Sequence, residues 1–241
     1  MEYTKKEIIR SISEYFLRND LVNLYKDKII NYKGATTDTK EPYIKIIAEY
    51  LSEHFDDFQN GFENAKITRN TSYKTNGHNG ISDFNFYERK KGERREEKIA
   101  HAMFCQYKEQ TCCCGNILDY QIPLKNTKND KGVGKIDLLG YSKKGDEVYL
   151  LELKKDKSDE TLLRCILEAY TYSKIVNTEK LFNDFGIFEK SKLIISPLVF
   201  KDDESVKQLE LLTPLLKKLN TKLKCFIWEY SSGKYKINLM N

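Results

Sequence analysis

Three charged residues stand inside runs that are otherwise apolar. Asp137 lies in Gly134-Lys135-Ile136-Asp137-Leu138-Leu139-Gly140, and Glu152 and Lys154 lie in Val148-Tyr149-Leu150-Leu151-Glu152-Leu153-Lys154. The string Lys143-Lys144-Gly145-Asp146 between the runs has turn composition, so together they read as a β-hairpin. With the turn centred between Lys144 and Gly145, Asp137 falls directly opposite Glu152. Side chains alternate along a strand, which puts Lys154 on the face of Glu152, about 6–7 Å further on. Leu150, Val148, Leu139 and Tyr141 continue that face, while Ile136, Leu138, Leu151, Leu153 and Tyr149 fill the other. Strands apolar on both faces are buried on both. Opposed carboxylates in such a sheet repel. A divalent cation offsets the repulsion, because hard cations prefer carboxylate oxygens, and the neighbouring ammonium is then placed for an anion or a water nucleophile. The plainer account is a surface hairpin with solvated charges. The apolar strands, the register of Asp137 and the Gly-x-x-Asp opening favour a site.

This pattern resembles the PD-(D/E)XK nuclease superfamily, which places an Asp on one strand of a central sheet and Glu-x-Lys on the next. Asp137 matches the first position and Glu152-Leu153-Lys154 the second. The residue before Asp137 is Ile136 rather than Pro, a departure frequent in diverged members. The resemblance implies an α/β (α+β) restriction-endonuclease-like core, with a central mixed sheet flanked by helices. It implies Mg²⁺ or Mn²⁺ on Asp137 and Glu152, helped by the backbone carbonyl of Leu153. Many members add a Glu from the first core helix. Glu97 is favoured over Glu96, because Ala100 and Phe104 follow it at i+3 and i+7. Some members carry a polar residue and a Tyr on the helix after the motif, which Glu168 and Tyr172 could supply. Arg164, four residues before Glu168, offers that Glu an ordinary helical ion pair, and this is the preferred account of it. Gln121 is a weaker accessory candidate.

The elements around the motif fit such a core. Glu93 to Gln106 has helical periodicity, Asn116 to Leu124 reads as a strand, Ser158 to Val176 as a helix, and Lys192 to Phe200 as a strand. The core so drawn spans about Gly92 to Phe200. Residues 1–65 form a helical N-terminal region: Thr4-Lys5-Lys6-Glu7 is a capping box, Asp20 is placed to cap a second helix through about Tyr32, and Pro42 opens a third. Glu204 to Leu219 reads as a helix interrupted near Pro214. Leu223 to Tyr230 and Lys234 to Leu239 read as strands joined by Ser231-Ser232-Gly233, and Trp228 as core. Residues 66–91 form a basic, flexible linker, and residues 92–241 the nuclease-like domain.

Composition sets wider bounds. The chain has 241 residues, with 41 basic and 36 acidic side chains and a net charge of +5. That excess is too small to indicate nucleic-acid binding, so distribution matters more. Lys66, Arg69, Lys74, Arg94 and Arg95 cluster ahead of the first core helix, where they could track a phosphate backbone. No apolar run approaches the ~18 residues of a membrane span and no signal-peptide core is visible, so no membrane association and a cytoplasmic location are the expectation. The six cysteines, including the run Cys112-Cys113-Cys114, are expected to be reduced, packing residues rather than metal ligands.

The expected activity is metal-dependent cleavage of DNA, with Lys154 orienting water or stabilising the charged transition state. Cutting both strands would call for a homodimer. The alternative is an inactive nuclease-fold module that binds nucleic acid or a protein partner. A carboxylate-pair glycosidase fits less well, because it gives Lys154 no task.

Overall fold

A computed structural model of the chain describes residues 2–75, 95–127, 129–130 and 133–240. The fold is α/β, and its centre is a six-stranded mixed sheet. In chain order the helices are α1 (Lys5–Leu17), α2 (Tyr43–Glu53), α3 (Phe55–Asn60), α4 (Arg95–Tyr107), α5 (Leu162–Ile175), α6 (Thr178–Phe185) and α7 (Thr213–Leu219). The strands are β1 (Asn116–Pro123), β2 (Lys135–Tyr141), β3 (Glu147–Leu153), β4 (Lys192–Phe200), β5 (Phe226–Ser231) and β6 (Lys234–Leu239), and they lie in that order across the sheet. The β3–β4 and β4–β5 pairs are parallel and the other three antiparallel. A parallel step needs a crossover, and α5 with α6 supplies the one between β3 and β4.

The hairpin has the expected register. Leu138 pairs with Leu151, Leu139 with Leu150, Gly140 with Tyr149 and Tyr141 with Val148. The pairing ends at Leu138 and Leu151, the residues next to Asp137 and Glu152. Gly145 makes the turn at φ +73°, and the Ser142 amide donates to the Glu147 carbonyl to close it.

Two layers of helix cover the sheet. On one face, α4 packs with Leu138, Leu151, Leu153, Phe226 and the fully buried Trp228. On the other, Leu139, Val148 and Leu150 join a larger cluster built from α5, α2 and the N-terminal residues Ile8, Ile12, Leu24 and Ile30. Ile136 departs from the expected alternation and packs in this second cluster beside its partner Ile122. The departure occurs where β1 bends at Gln121, which holds φ +51°. The N-terminal helices therefore bury their apolar stripes against the sheet and α5.

The capping box is present, with the Thr4 side chain and Glu7 bonded reciprocally. The helix expected from Asp20 to Tyr32 is instead two 3₁₀ segments, Leu21–Lys26 and Lys28–Asn31. Asp20 makes no side-chain cap, whereas Asp27 caps the second segment and so breaks the run. The helix expected from Ser158 begins at Leu162, where the Thr161 side chain caps it. The Glu204–Leu219 run becomes two short 3₁₀ segments and α7, with Pro214 in the first turn of that helix. Helix α6 carries no expectation from the sequence reading.

Residues 66–75, expected as the start of a flexible linker, are tied down. The Ile67 amide donates to the Ile175 carbonyl at 2.8 Å. Tyr73 is fully buried and its hydroxyl accepts from the Asn177 amide. The Thr75 amide and hydroxyl both donate to Asp119. A large aromatic ring in a polar stretch is what anchors it. The rest of that linker, from 76 onward, lies outside the described residues.

Candidate active site

Asp137, Glu152 and Lys154 meet at one end of the β2–β3 ladder, on the face covered by α5. The Leu153 amide donates to Asp137 Oδ2 at 2.9 Å, and Gln121 Nε2 donates to Oδ1 at 2.7 Å. Gln121, a weak candidate from sequence, thus directly orients the first carboxylate. It does so from a left-handed backbone conformation that costs a non-glycine residue about 1–3 kcal/mol and that collects at functional sites.

Lys154 is buried, and its ammonium contacts three carboxylates: Glu152 Oε1 at 2.9 Å, Glu160 Oε2 at 2.7 Å and Glu168 Oε2 at 2.9 Å. The backbone of Lys154 is fixed as well. Its amide donates to the Leu198 carbonyl, and its carbonyl accepts from Trp228 Nε1 at 2.9 Å. The fully buried tryptophan therefore pins the residue that ends the motif.

Glu168 sits in the site rather than in a plain helical ion pair. Arg164 binds Glu160 at 3.0 Å instead, because the buried Lys154 projects between β3 and α5 and draws Glu168 inward. The Tyr172 hydroxyl donates to Glu168 Oε1 at 2.8 Å, and Tyr25 from the N-terminal region packs edge-on against Tyr172. Glu160 and Tyr25 escaped the sequence reading. Glu160 lies in an irregular loop with no periodicity to mark it, and only docking brings Tyr25 near. That loop is held from outside: Asn31 Oδ1 accepts from the Thr161 amide, Asp203 Oδ2 from the Ser158 amide and Gln208 Oε1 from the Leu162 amide.

Of the two glutamates that open α4, Glu96 is the one beside the motif, not the favoured Glu97. Glu96 Oε1 accepts from the Lys155 amide at 3.2 Å, and Glu97 lies near Tyr120. Successive residues on a helix point about 100° apart, so the apolar spacing chose the residue that faces α4's own packing side. Of the basic candidates, Lys66 and Lys74 are exposed. Arg69 is spent on structure: Nε donates to the Ser72 carbonyl and Nη1 to that of Lys125. Arg95 pairs with Asp156 at 2.6 Å, and Arg94 lies outside the described residues.

The electrostatics follow from burial. Desolvation pushes Asp137 up to about 7 against the pull of Lys154. It holds Glu152 well above the usual carboxylate range, reinforced by the charges of Asp137 and Glu168. Burial also works to raise Glu168, but Lys154 and the Tyr172 hydroxyl bring it below its ordinary value. Desolvation opposes the Lys154 charge, yet Glu152, Glu168 and Glu160 keep its pKa well above normal. Glu152 Oε2 is buried with no donor on it. The cluster is a fixed cation ringed by Glu152, Glu160 and Glu168, with burial raising Glu152 and the neighbouring Asp137 above the usual carboxylate range. Among the described residues, no group of three or more His, Cys, Asp or Glu is arranged to hold a metal, so any metal would rest on the two strand carboxylates and backbone oxygen.

Gly134 touches the far side of this cluster. A Cβ there would stand 1.9 Å from the Tyr172 hydroxyl. Gly134→Ala should destabilise the fold by about 1–3 kcal/mol through overpacking. Combined with Tyr172→Ala it should cost less than the sum of the two changes in urea denaturation. Strict additivity would show that the contact is not made.

Comparison with protein-family models, with curated proteins and with solved structures finds no match.

Proposed function

We propose that this chain is a metal-dependent phosphodiesterase acting on DNA through Asp137, Glu152 and Lys154. The observation that carries the reading is a half-buried Asp137 at the end of the β2–β3 ladder beside the buried Glu152 and Lys154, with Glu152 Oε2 left without a hydrogen-bond partner. The chain order α4, β1, β2, β3, α5, α6, β4 also supports it, being the order expected of a restriction-endonuclease-like core with α6 added before β4.

The donor set suits a hard cation. Asp137, Glu152 and the Leu153 carbonyl would hold Mg²⁺ or Mn²⁺, with Glu96 the carboxylate that α4 brings beside the motif. When bound, such an ion activates water and offsets phosphate charge. The chain's own residues do the rest. Gln121 and the Leu153 amide aim Asp137. Lys154 supplies a positive charge that can orient a water or meet the phosphate. Glu168 and Glu160 fix the ammonium, and Tyr172 fixes Glu168. The exposed Lys66 and Lys74 would touch the DNA backbone.

One observation favours a second reading, a nuclease-fold module that binds without cutting. All three carboxylates around Lys154 lie within 3 Å of it, as in a structural ion-pair cluster. Cleavage of plasmid and single-stranded DNA by purified protein, in Mg²⁺, Mn²⁺ or EDTA, separates the two. Metal-dependent cutting that Asp137→Ala and Lys154→Ala both abolish is the expected result. DNA binding without cutting, and without divalent binding by calorimetry, would establish the module instead.

A further inference from the structure

The run Cys112-Cys113-Cys114 takes no part in the site described above. Its geometry is nonetheless specific. Cys112 and Cys114 Sγ atoms lie 2.9 Å apart. The backbone between them is a tight turn closed twice, by the Cys112 amide to the Gly115 carbonyl at 2.9 Å and by the Gly115 amide to the Cys112 carbonyl at 3.0 Å. Gly115 holds φ +80°, and a Cβ there would stand 1.8 Å from the Tyr141 carbonyl, so the turn is seated directly on β2. The thiol contact is therefore set by the backbone rather than by free rotamers. Cys113 is exposed and donates to the Ile237 carbonyl on β6 at 3.0 Å.

We propose that Cys112 and Cys114 form a redox-active dithiol that closes to an intramolecular disulfide on reaction with a hydroperoxide. Cys112 is half-buried and reachable, whereas Cys114 is fully buried. Contact with Cys114 brings Cys112 below its ordinary value, although the Cys112 thiol also donates to the Gly115 carbonyl at 3.3 Å, and Cys114 is held well above its own by Cys112, Cys113 and burial. The lowered, reachable Cys112 is therefore the attacking thiol, and Cys114, whose sulfur already touches it, is the resolving one. The Cys112 thiolate attacks the peroxide, breaking the O–O bond and releasing alkoxide or hydroxide, and becomes a sulfenic acid. Cys114 sulfur then attacks the sulfenic sulfur. The S–S bond forms, the S–O bond breaks, and water leaves with the Cys114 proton. The peroxide is reduced by two electrons and the dithiol is oxidised by two. Burial raises Cys105, Cys165 and Cys225, which leaves the exposed Cys113, lowered by Cys114 as Cys112 is, as the one competing thiol that the test must separate. A bridge across so short a turn is strained, which favours a labile, reversible disulfide over a permanent one.

The test is peroxide titration of the full chain, followed by quenching, unfolding, alkylation with N-ethylmaleimide and intact mass measurement. Wild type should lose two of its alkylatable thiols and regain them with dithiothreitol. Cys113→Ser should behave the same. Cys112→Ser should lose none, and Cys114→Ser should instead accumulate a sulfenic acid that dimedone traps at Cys112. Closure that survives Cys114→Ser, closure that requires Cys113, or wild type that keeps all its thiols at peroxide levels oxidising free cysteine would each overturn the assignment. These readouts are independent of any nuclease activity.

Discussion

Replacing Lys154 by Met should lower the unfolding free energy by roughly 3–5 kcal/mol, the cost of stranding buried charge. The ammonium is the shared partner of Glu152, Glu160 and Glu168. Methionine nearly matches the volume and removes only the charge. The carboxylates would then take up protons or draw in water, each at a cost in a site this enclosed. Glu168→Gln in the same background should recover part of the loss, because it removes one of the stranded anions. Denaturant titration of the single and double variants measures both effects. A single-variant loss under about 1 kcal/mol, the scale of exposed pairs, would mean that the cluster is open to solvent. On the proposed function the same substitution also ends cleavage. Lys154→Arg, which keeps the charge, then separates an effect on folding from one on chemistry, since a planar fork cannot reproduce a compact ammonium.

Asp137→Asn should flatten the stability–pH curve above pH 6 and, on the proposed function, should cut divalent-dependent cleavage by at least a factor of about 100. The sign follows from the direction of the shift. Burial raises Asp137 to about 7 in the folded chain, against about 3.9 when unfolded. The proton bound by the folded state therefore adds stability that is complete below the unfolded value and lost as pH rises through 7. Between pH 6 and pH 8 this one group should withdraw about 1.4 kcal/mol, and the raised Glu152 acts in the same sense. Mg²⁺ added at pH 8 should restore stability to wild type, by about 2.7 kcal/mol at a hundredfold excess over its dissociation constant, and should do little for the Asp137→Asn variant. Thermal melts at the two pH values, with and without Mg²⁺, decide the matter. A wild type as stable at pH 8 as at pH 6, and indifferent to Mg²⁺, would remove the case for a cation site.

Much of this was legible in the chain itself. The β2–β3 register, which brings Asp137 and Glu152 to the same end of the ladder, followed from turn composition and the two-residue period of a strand. The bounds of β4 and β6 were readable from local pattern too: the β4 run ends where Lys201 and Asp202 follow, and β6 is an alternating run that opens after Gly233. The capping box of α1 is a purely local signal, and it formed as written.

The neighbours of the motif were not legible. Which glutamate of α4 reaches the sheet depends on the helix's rotation about its axis, and Glu96 and Glu97 carry the same local signal. Glu168 offered an i,i+4 partner in Arg164, but a buried ammonium on a different element outcompeted it, since charge attracts more strongly where water is excluded. Glu160, Tyr25 and Trp228 are brought to Lys154 from residues 6, 129 and 74 positions away, through a loop, the N-terminal region and the far strand β5. Sequence by itself determined the strand carboxylates, the lysine and the strands that bear them, because each rests on local periodicity. Tertiary structure alone decided what surrounds the lysine, because burial and charge pairing depend on which elements pack together.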